Sequence, residues 1–330
     1  MVFIYIMFFC LLCLGIVLIV KVTELNIGKL RVEKEIQWAN TPKMPTFGSV
    51  KSLSVLPLID YYTDRDELRT EPGVSYLIKA DDTTILMDVG YNVNKEHPSP
   101  LIVNASKLAV DFNKLNMIFI SHIHLDHIGG MKEQREKTFS LSQGIVEVPE
   151  IPVFAPDNIT PSKWNPNPKV KIISDPQVLE TGIASTGVIP RYLFIMGYTL
   201  EHSLVINLEG KGLVIIIGCG HQTIERLIEK VQRVFNEPIY AIIGGLHYPV
   251  KGGRVIKGPF NIQNIVGSDN PPWNGINEKQ VLNGIDIIKQ VNPQLVALSA
   301  HDSSDWSINQ FQKAFEKHYV ELKVGKEIIL

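Results

Sequence analysis

The chain has 330 residues, with 32 basic against 34 acidic side chains and a formal net charge of −2 at pH 7. Nucleic-acid binders usually carry a basic domain or stripe, so this balance argues against a nuclease or any other nucleic-acid partner. Two of the three cysteines, Cys10 and Cys13, fall in an apolar run, which leaves Cys219 alone in the body and excludes an intrachain disulfide framework there.

The chain opens with an uncharged apolar run from Val2 to Val20. A span of the hydrocarbon core needs about 20 apolar residues, whereas the apolar region of a secretory signal has about 7 to 15. No basic residue precedes the run and no small-x-small cleavage site stands before Lys21. Residues 1–21 therefore read as a single-pass N-terminal membrane anchor, with a cleaved signal peptide as the alternative. Lys21, Lys29, Arg31 and Lys34 follow the run, and the positive-inside tendency then puts the body in the cytoplasm. Residues 22–50 read as a juxtamembrane connector, rich in Pro, Thr and Gly from Trp38 through Val50. No Ser- or Pro-rich linker divides what remains, so 51–330 reads as one catalytic domain.

Two strand-like runs, Val74 to Ala80 and Thr83 to Val89, flank Asp81-Asp82 and predict a hairpin. Leu101 to Phe112 reads as a helix, and Asn116 to Ile120 has the length and β-branching of a buried strand. That strand runs into Ser121-His-Ile-His-Leu-Asp-His-Ile-Gly-Gly130, where four metal-ligand side chains occupy six positions. Alternate side chains of an extended segment share a face, so His122 and His124 can grip one ion. Asp126 and His127 follow where the chain turns toward a helix, and are placed for a second. Imidazole and carboxylate without thiolate suit zinc, with iron or manganese as alternatives. Gly129 and Gly130 permit a tight turn beneath the site.

This motif resembles the His-x-His-x-Asp-His of the metallo-β-lactamase superfamily. The resemblance extends to Tyr62-Thr63-Asp64, Glu71 through Ile78 and Ile85 through Gly90 upstream, and to Gly218-Cys-Gly-His221 and Gly244-Gly-Leu-His247 downstream. It covers about residues 50 to 320 and is to a branch holding dihydropterin-methyl-ribofuranosylaminobenzene-phosphate synthases and many metal-dependent hydrolases. It implies a four-layer αββα sandwich of the α/β (α+β) class, with a metal site at one edge of two sheets. In this superfamily an acid at the position of Asp88 supports a ligand histidine; as a residue, Asp88 reads equally as a turn after a strand.

Further on, Ile145 to Val170 is rich in Pro and Asn, shows no periodicity and reads as a surface excursion, with a substrate-facing loop as the alternative. Arg191 to Met196, Ser203 to Leu208 and Leu213 to Ile217 read as strands, and His202 as structural. Ile224, Leu227, Ile228, Val231 and Val234 mark a helix, so Gly218 to His221 sits at a strand-to-helix junction. Many superfamily members have a bridging aspartate here. The branch's Gly-Cys-x-His favours His221 as ligand, with Cys219 either an alternative ligand or a packed small hydrophobe.

The strand Ile239 to Ile243 delivers His247 through glycines in the same manner, making it the last expected ligand. The Gly-, Pro- and Asn-rich stretch from Pro249 to Asn277 is expected to be a lid, with Lys251, Arg254 and Lys257 as candidate substrate contacts for a phosphate or carboxylate. A helix around Glu278 to Val291, a strand Leu295 to Ser299 and a helix around Ile308 to Tyr319 complete the chain. Where the branch has His-Cys-Thr-Gly, this chain has His301-Asp-Ser-Ser304, so His301 is expected to act on substrate or in proton transfer. His97 and His318 read as surface residues.

The resulting expectation is a metal-dependent hydrolase with two zinc ions held by His122, His124, Asp126, His127, His221 and His247. Metal-bound hydroxide would attack an ester, lactone, amide or phosphoester of a small molecule, with Asp126 and His301 catalytic. The alternatives are a pterin-linked synthase-like enzyme, a non-catalytic membrane-tethered metal-binding protein, and oxidative chemistry with iron. The sequence sets no oligomeric state.

Overall fold

The structure, a computed structural model, describes residues 1–36, 41–258 and 260–330. Alternating burial organises it. In the strand Gly212–Ile217, Val214 and Ile216 face one way and Ile215 and Ile217 the other, and both sets are buried. Such a strand must be covered on both faces, which is why it lies inside a layered sandwich rather than on a surface.

The first sheet runs in the spatial order Ile328–Ile329, Leu53–Ile59, Ser75–Ala80, Thr83–Met87, Met117–Phe119, Pro152–Ala155, Lys169–Ile172. Its pairs are antiparallel as far as Thr83–Met87 and parallel from there on. The second runs Leu295–Leu298, Ile239–Gly244, Gly212–Ile217, Leu204–Leu208, Ile183–Ser185, Gln177–Glu180, parallel among the first three and antiparallel thereafter. Between the sheets lies one apolar core, with Tyr76, Ile85 and Phe119 from the first sheet against Ile206, Ile216 and Ile243 from the second. Helices Ile224–Val234, Glu278–Gln290 and Asp305–Phe315 cover the second sheet, and Pro100–Lys107 packs its Leu101 on the first. This is the αββα sandwich.

Several elements differ from the sequence expectation. The N-terminal helix continues unbroken from Val2 to Glu35, so the first part of the expected 22–50 connector is helical. Leu25, Gly28 and Val32 are buried in it, which explains why a segment with little helical punctuation stays in register: the body supplies a docking face. The Trp38 end of the expected connector lies outside the described residues. Val2–Val20 is exposed, and the helix is long and apolar enough to cross a membrane.

The Pro- and Asn-rich 145–170 stretch is no mere surface excursion: it supplies Pro152–Ala155 and the start of Lys169–Ile172, two strands of the first sheet. Parallel neighbours supply their pairing, so little local pattern was needed. Ile189–Leu193 joins neither sheet and instead forms a separate hairpin with Gly197–Glu201. The 249–277 stretch carries structure of its own, a short hairpin (Ile256–Lys257 with Phe260–Asn261) and a helix, Ile262–Gly267.

Candidate metal centre

Every expected ligand, and His301 as well, follows the carboxyl end of a parallel strand. His122, His124, Asp126 and His127 lie beyond Met117–Phe119, His221 beyond Gly212–Ile217, His247 beyond Ile239–Gly244 and His301 beyond Leu295–Leu298. Parallel strands bring their carboxyl ends to one edge of a sandwich, and residues far apart in the chain meet there. The His122 ring centroid is 4.5 Å from that of His124, 4.1 Å from His127 and 5.2 Å from His221. His221 and His247 are 4.6 Å apart, and His127 and His301 5.3 Å.

Three groups of potential ligand atoms form within this cluster, each with all atoms inside 4.8 Å of one another: Asp126, His127, Cys219 and His301; His122, Cys219 and His221; Cys219, His247 and Asp302. His124 joins the second group through His221, its Nδ1 lying 3.1 Å from His221 Nε2. Cys219 is common to all three groups. It sits where the sequence left a choice between Cys219 and His221, and both side chains reach the centre.

Hydrogen bonds fix which ring nitrogen each histidine presents. Asp88 Oδ2 accepts from His127 Nδ1 at 2.7 Å, so His127 Nε2 is the nitrogen turned to the centre. Ser121 spends its single hydroxyl proton on Asp88 Oδ2 (2.7 Å), so at 3.1 Å from His122 Nδ1 it can only accept, and His122 Nε2 is left bare. The same logic holds for His301. Ser299 Oγ donates to Asp60 Oδ2 and lies 2.6 Å from His301 Nδ1, again leaving Nε2 free. His247 is held the other way round: Nε2 donates to the Gln263 carbonyl at 3.0 Å, and Nδ1 faces Cys219 Sγ at 3.2 Å.

The consequence is a set of ring nitrogens with nothing to bind. Among the described residues, His122 Nε2, His127 Nε2, His221 Nδ1 and His301 Nε2 are buried without a hydrogen-bond partner. Unpaired buried polar atoms are costly, and four in one cluster with carboxylates and a thiol fit divalent metal. His202 provides the contrast. It is equally buried, but Nε2 donates to the Ile120 carbonyl (2.9 Å), Nδ1 accepts from Ser185 Oγ (2.9 Å) and its ring stacks on Phe119 at 4.1 Å. Both nitrogens are satisfied, as a structural histidine requires.

Burial, reinforced by the neighbouring histidines, holds His122, His221 and His301 well below the usual imidazole range, and burial pushes His124 down to about 3. His127 is the exception. Burial opposes its charge, but Asp88 and Asp126 outweigh that and raise it to about 9. Burial raises the Cys219 thiol and Asp126, and carries Asp302 up to about 8.

The sequence reading missed four residues here. Asp302 reaches Cys219 and His247, and its Oδ2 accepts from the His247 amide at 2.8 Å. Asp60 and Ser299 orient His301. Glu201, raised by burial to about 7, accepts from the amides of Cys219, Gly220 and Gln222 and so pins the loop that carries Cys219 and His221. Of the three expected basic contacts, Lys251 is turned to Glu278 (2.9 Å) and the Trp306 ring. Arg254 is used up on the Ala300 carbonyl, Asp305 and the Tyr61 and Tyr62 rings. Only Lys257 lines the cavity above the ligands.

Comparison with known proteins agrees with this fold. The family model of the metallo-beta-lactamase superfamily matches residues 68–219. A relative from Methanocaldococcus jannaschii, named 7,8-dihydropterin-6-methyl-4-(beta-D-ribofuranosyl)-aminobenzene-5'-phosphate synthase, is 23% identical over 85% of this chain and 98% of its own length. A crystal structure of a metal-dependent hydrolase of the beta-lactamase superfamily superposes with a TM-score of 0.57 at 17% identity, covering 84% of this chain and 98% of its own. The metallo-beta-lactamase fold protein YhfI from Bacillus subtilis gives 0.52 at 14% identity, with coverage of 85% and 100%. The chain thus shares the metallo-β-lactamase fold, matches the superfamily's model over residues 68–219, and resembles the pterin-linked synthase along most of its length.

Proposed function

We propose that the protein is a zinc-dependent hydrolase of a small-molecule ester, lactone, amide or phosphoester, anchored by its N-terminal helix with the catalytic body in the cytoplasm. The observation that carries this reading is the set of four buried, unpartnered imidazole nitrogens beneath an open cavity. His122, His124 and His221 would hold one ion, and Asp126, His127 and His301 a second, with Cys219 reaching both; His247 and Asp302 complete the centre. When bound, the ions supply Lewis-acid activation of water and of the bond attacked.

The chain's own residues do the rest. Asp88 and Ser299 keep Nε2 of His127 and of His301 aimed inward, so the rings need no reorientation before they bind an ion. Asp126, whose side chain keeps 21% of its exposure at the cavity floor, is placed to orient the attacking water and take its proton. His301, buried and facing the ligands rather than the cavity, suits a ligand better than the substrate or proton-transfer role read from sequence. The cytoplasmic orientation rests on Lys21, Lys29, Arg31 and Lys34 after the apolar span.

A pterin-linked synthase is the second reading, favoured by the relative's match along 98% of its length. His301-Asp-Ser-Ser304 counts against it. Turnover of bis-p-nitrophenyl phosphate, p-nitrophenyl acetate and γ-lactones by the full chain, before and after chelation, separates the readings. Chelator-sensitive hydrolysis of any of them supports the hydrolase; metal retained with no turnover across the panel counts against it and favours the synthase or a non-catalytic metal protein.

A further inference from the structure

The cavity above the candidate ligands has a volume of about 410 Å³, within the range of small-molecule sites. Its floor carries His124, Asp126, Cys219, His221 and His247, and its walls are mostly apolar, among them Leu125, Ile195, Met196, Ile262 and Val266, with Tyr91, two glutamines and Lys257 the polar exceptions. Gln263 is engaged at both ends of its amide and Gln134 at its oxygen. Gln134 Oε1 accepts from the Leu125 amide, and Gln263 bonds the His301 carbonyl and the Arg254 amide. Lys257 lies at the rim, where a long apolar stem can cover wall while its ammonium stays in water. These walls suit an apolar chain better than a polar metabolite.

The apolar lining continues outside. Ile195, Phe260 and Trp273 are 45%, 58% and 64% exposed. Phe260 pairs with Lys257 across a short hairpin and so shares its face, and Trp273 makes an edge contact with Phe194, the neighbour of Ile195.

This rim is tied to the N-terminal helix. Gly28 packs against the Tyr192 ring, Arg31 lies over the Tyr198 ring at 4.2 Å, and Glu35 accepts from the Tyr198 hydroxyl, all on the hairpin whose tip supplies Ile195 and Met196. On the other side Lys29 reaches Asp269 at 3.5 Å and Asn270 at 3.3 Å, just beyond cavity-lining Val266. From Val20 to Gly28 the helix advances roughly 12 Å at about 1.5 Å per residue. The end of the apolar span and the mouth of the cavity are therefore held near one another by a single rigid element.

We propose that the cavity takes the apolar chain of a membrane-borne amphiphile, so that the molecule hydrolysed is lipid-like and is drawn from the leaflet beside which the helix holds the body. This rests on the anchored metallohydrolase reading above. Ester or phosphoester would sit at the ligands, with the chain along the 195–196 and 262–266 walls and out toward the membrane.

The test uses the full chain reconstituted into phosphatidylcholine vesicles doped with a phosphatidylcholine that bears a diazirine at one acyl terminus. After irradiation, adducts are mapped by peptide mass spectrometry. The expected result is adducts on the N-terminal helix and on less exposed wall residues such as Met196, Ile262 and Val266. Ile195→Glu/Met196→Glu, checked for folding by its thermal melt, should cut the wall adducts at least tenfold and leave those on the helix. A His122→Ala/His124→Ala variant should keep both sets, because filling the cavity does not require metal; this separates the proposal from the hydrolase reading. Adducts confined to the helix, or reaching only Phe260 and Trp273, would overturn it. Absence of adducts on the helix would remove the anchor and the proposal together.

Discussion

Asp88 Oδ2 lies 2.7 Å from His127 Nδ1, and both side chains are fully buried. One carboxylate thereby fixes the tautomer of a candidate ligand and, through Ser121, that of His122. Asp88→Asn keeps the shape but puts a carboxamide where two donors require an acceptor. Metal affinity should fall about 10- to 100-fold. Competition with a chromophoric chelator measures this, and unchanged affinity would make Asp88 a turn residue.

Ser299 plays the corresponding part for His301. Ser299→Ala removes the acceptor of Nδ1 and frees the ring to flip. If His127 and His301 share an ion distinct from that of His122, one equivalent should weaken about 10- to 100-fold while the other holds. Two-step chelator titration distinguishes this from uniform weakening, which would mean that the ions are not separately held.

His127 sets the pH dependence of loading. Its pKa is raised to about 9, so in the ion-free protein it carries a proton at pH 7, and Nε2 must lose that proton to bind metal. The sign follows: the ion competes with the proton, and affinity should rise about tenfold per pH unit until pH approaches 9, then flatten. Calorimetry at pH 7 in buffers of different ionisation enthalpy should show about one proton released from His127 as the ion it shares with His301 is loaded. No release would place the proton elsewhere.

His202→Ala tests the contrast between ligand and structural histidines. It leaves the Ile120 carbonyl unpaired and the Phe119 ring uncovered, at a cost of about 1–3 kcal/mol in stability. Metal content should not change. A stoichiometric loss of metal from a still-folded His202→Ala protein would show that burial and pairing do not sort these histidines.

The legible parts of the fold were those written locally. Ser121 to Gly130 holds its ligands in six consecutive positions after an apolar strand, and the Val74–Val89 hairpin carries its own alternation and turn. What supports the ligands was not legible, because it is assembled over distance: Asp60 meets Ser299 across 239 residues, and Glu201 reaches back onto 219–222 through backbone amides. Pro152–Ala155 drew its strand from parallel neighbours rather than from its own pattern. Lys251 and Arg254 looked free in a polar stretch, but their partners Glu278 and Asp305 belong to later helices.

The central claim is that these buried imidazoles hold metal. Elemental analysis of the full chain, purified without added metal and then supplied with zinc, tests it beside a His122→Ala/His124→Ala variant. The account predicts about two zinc ions per chain in the parent protein and their loss from the variant. No metal in either protein after zinc is supplied would contradict it.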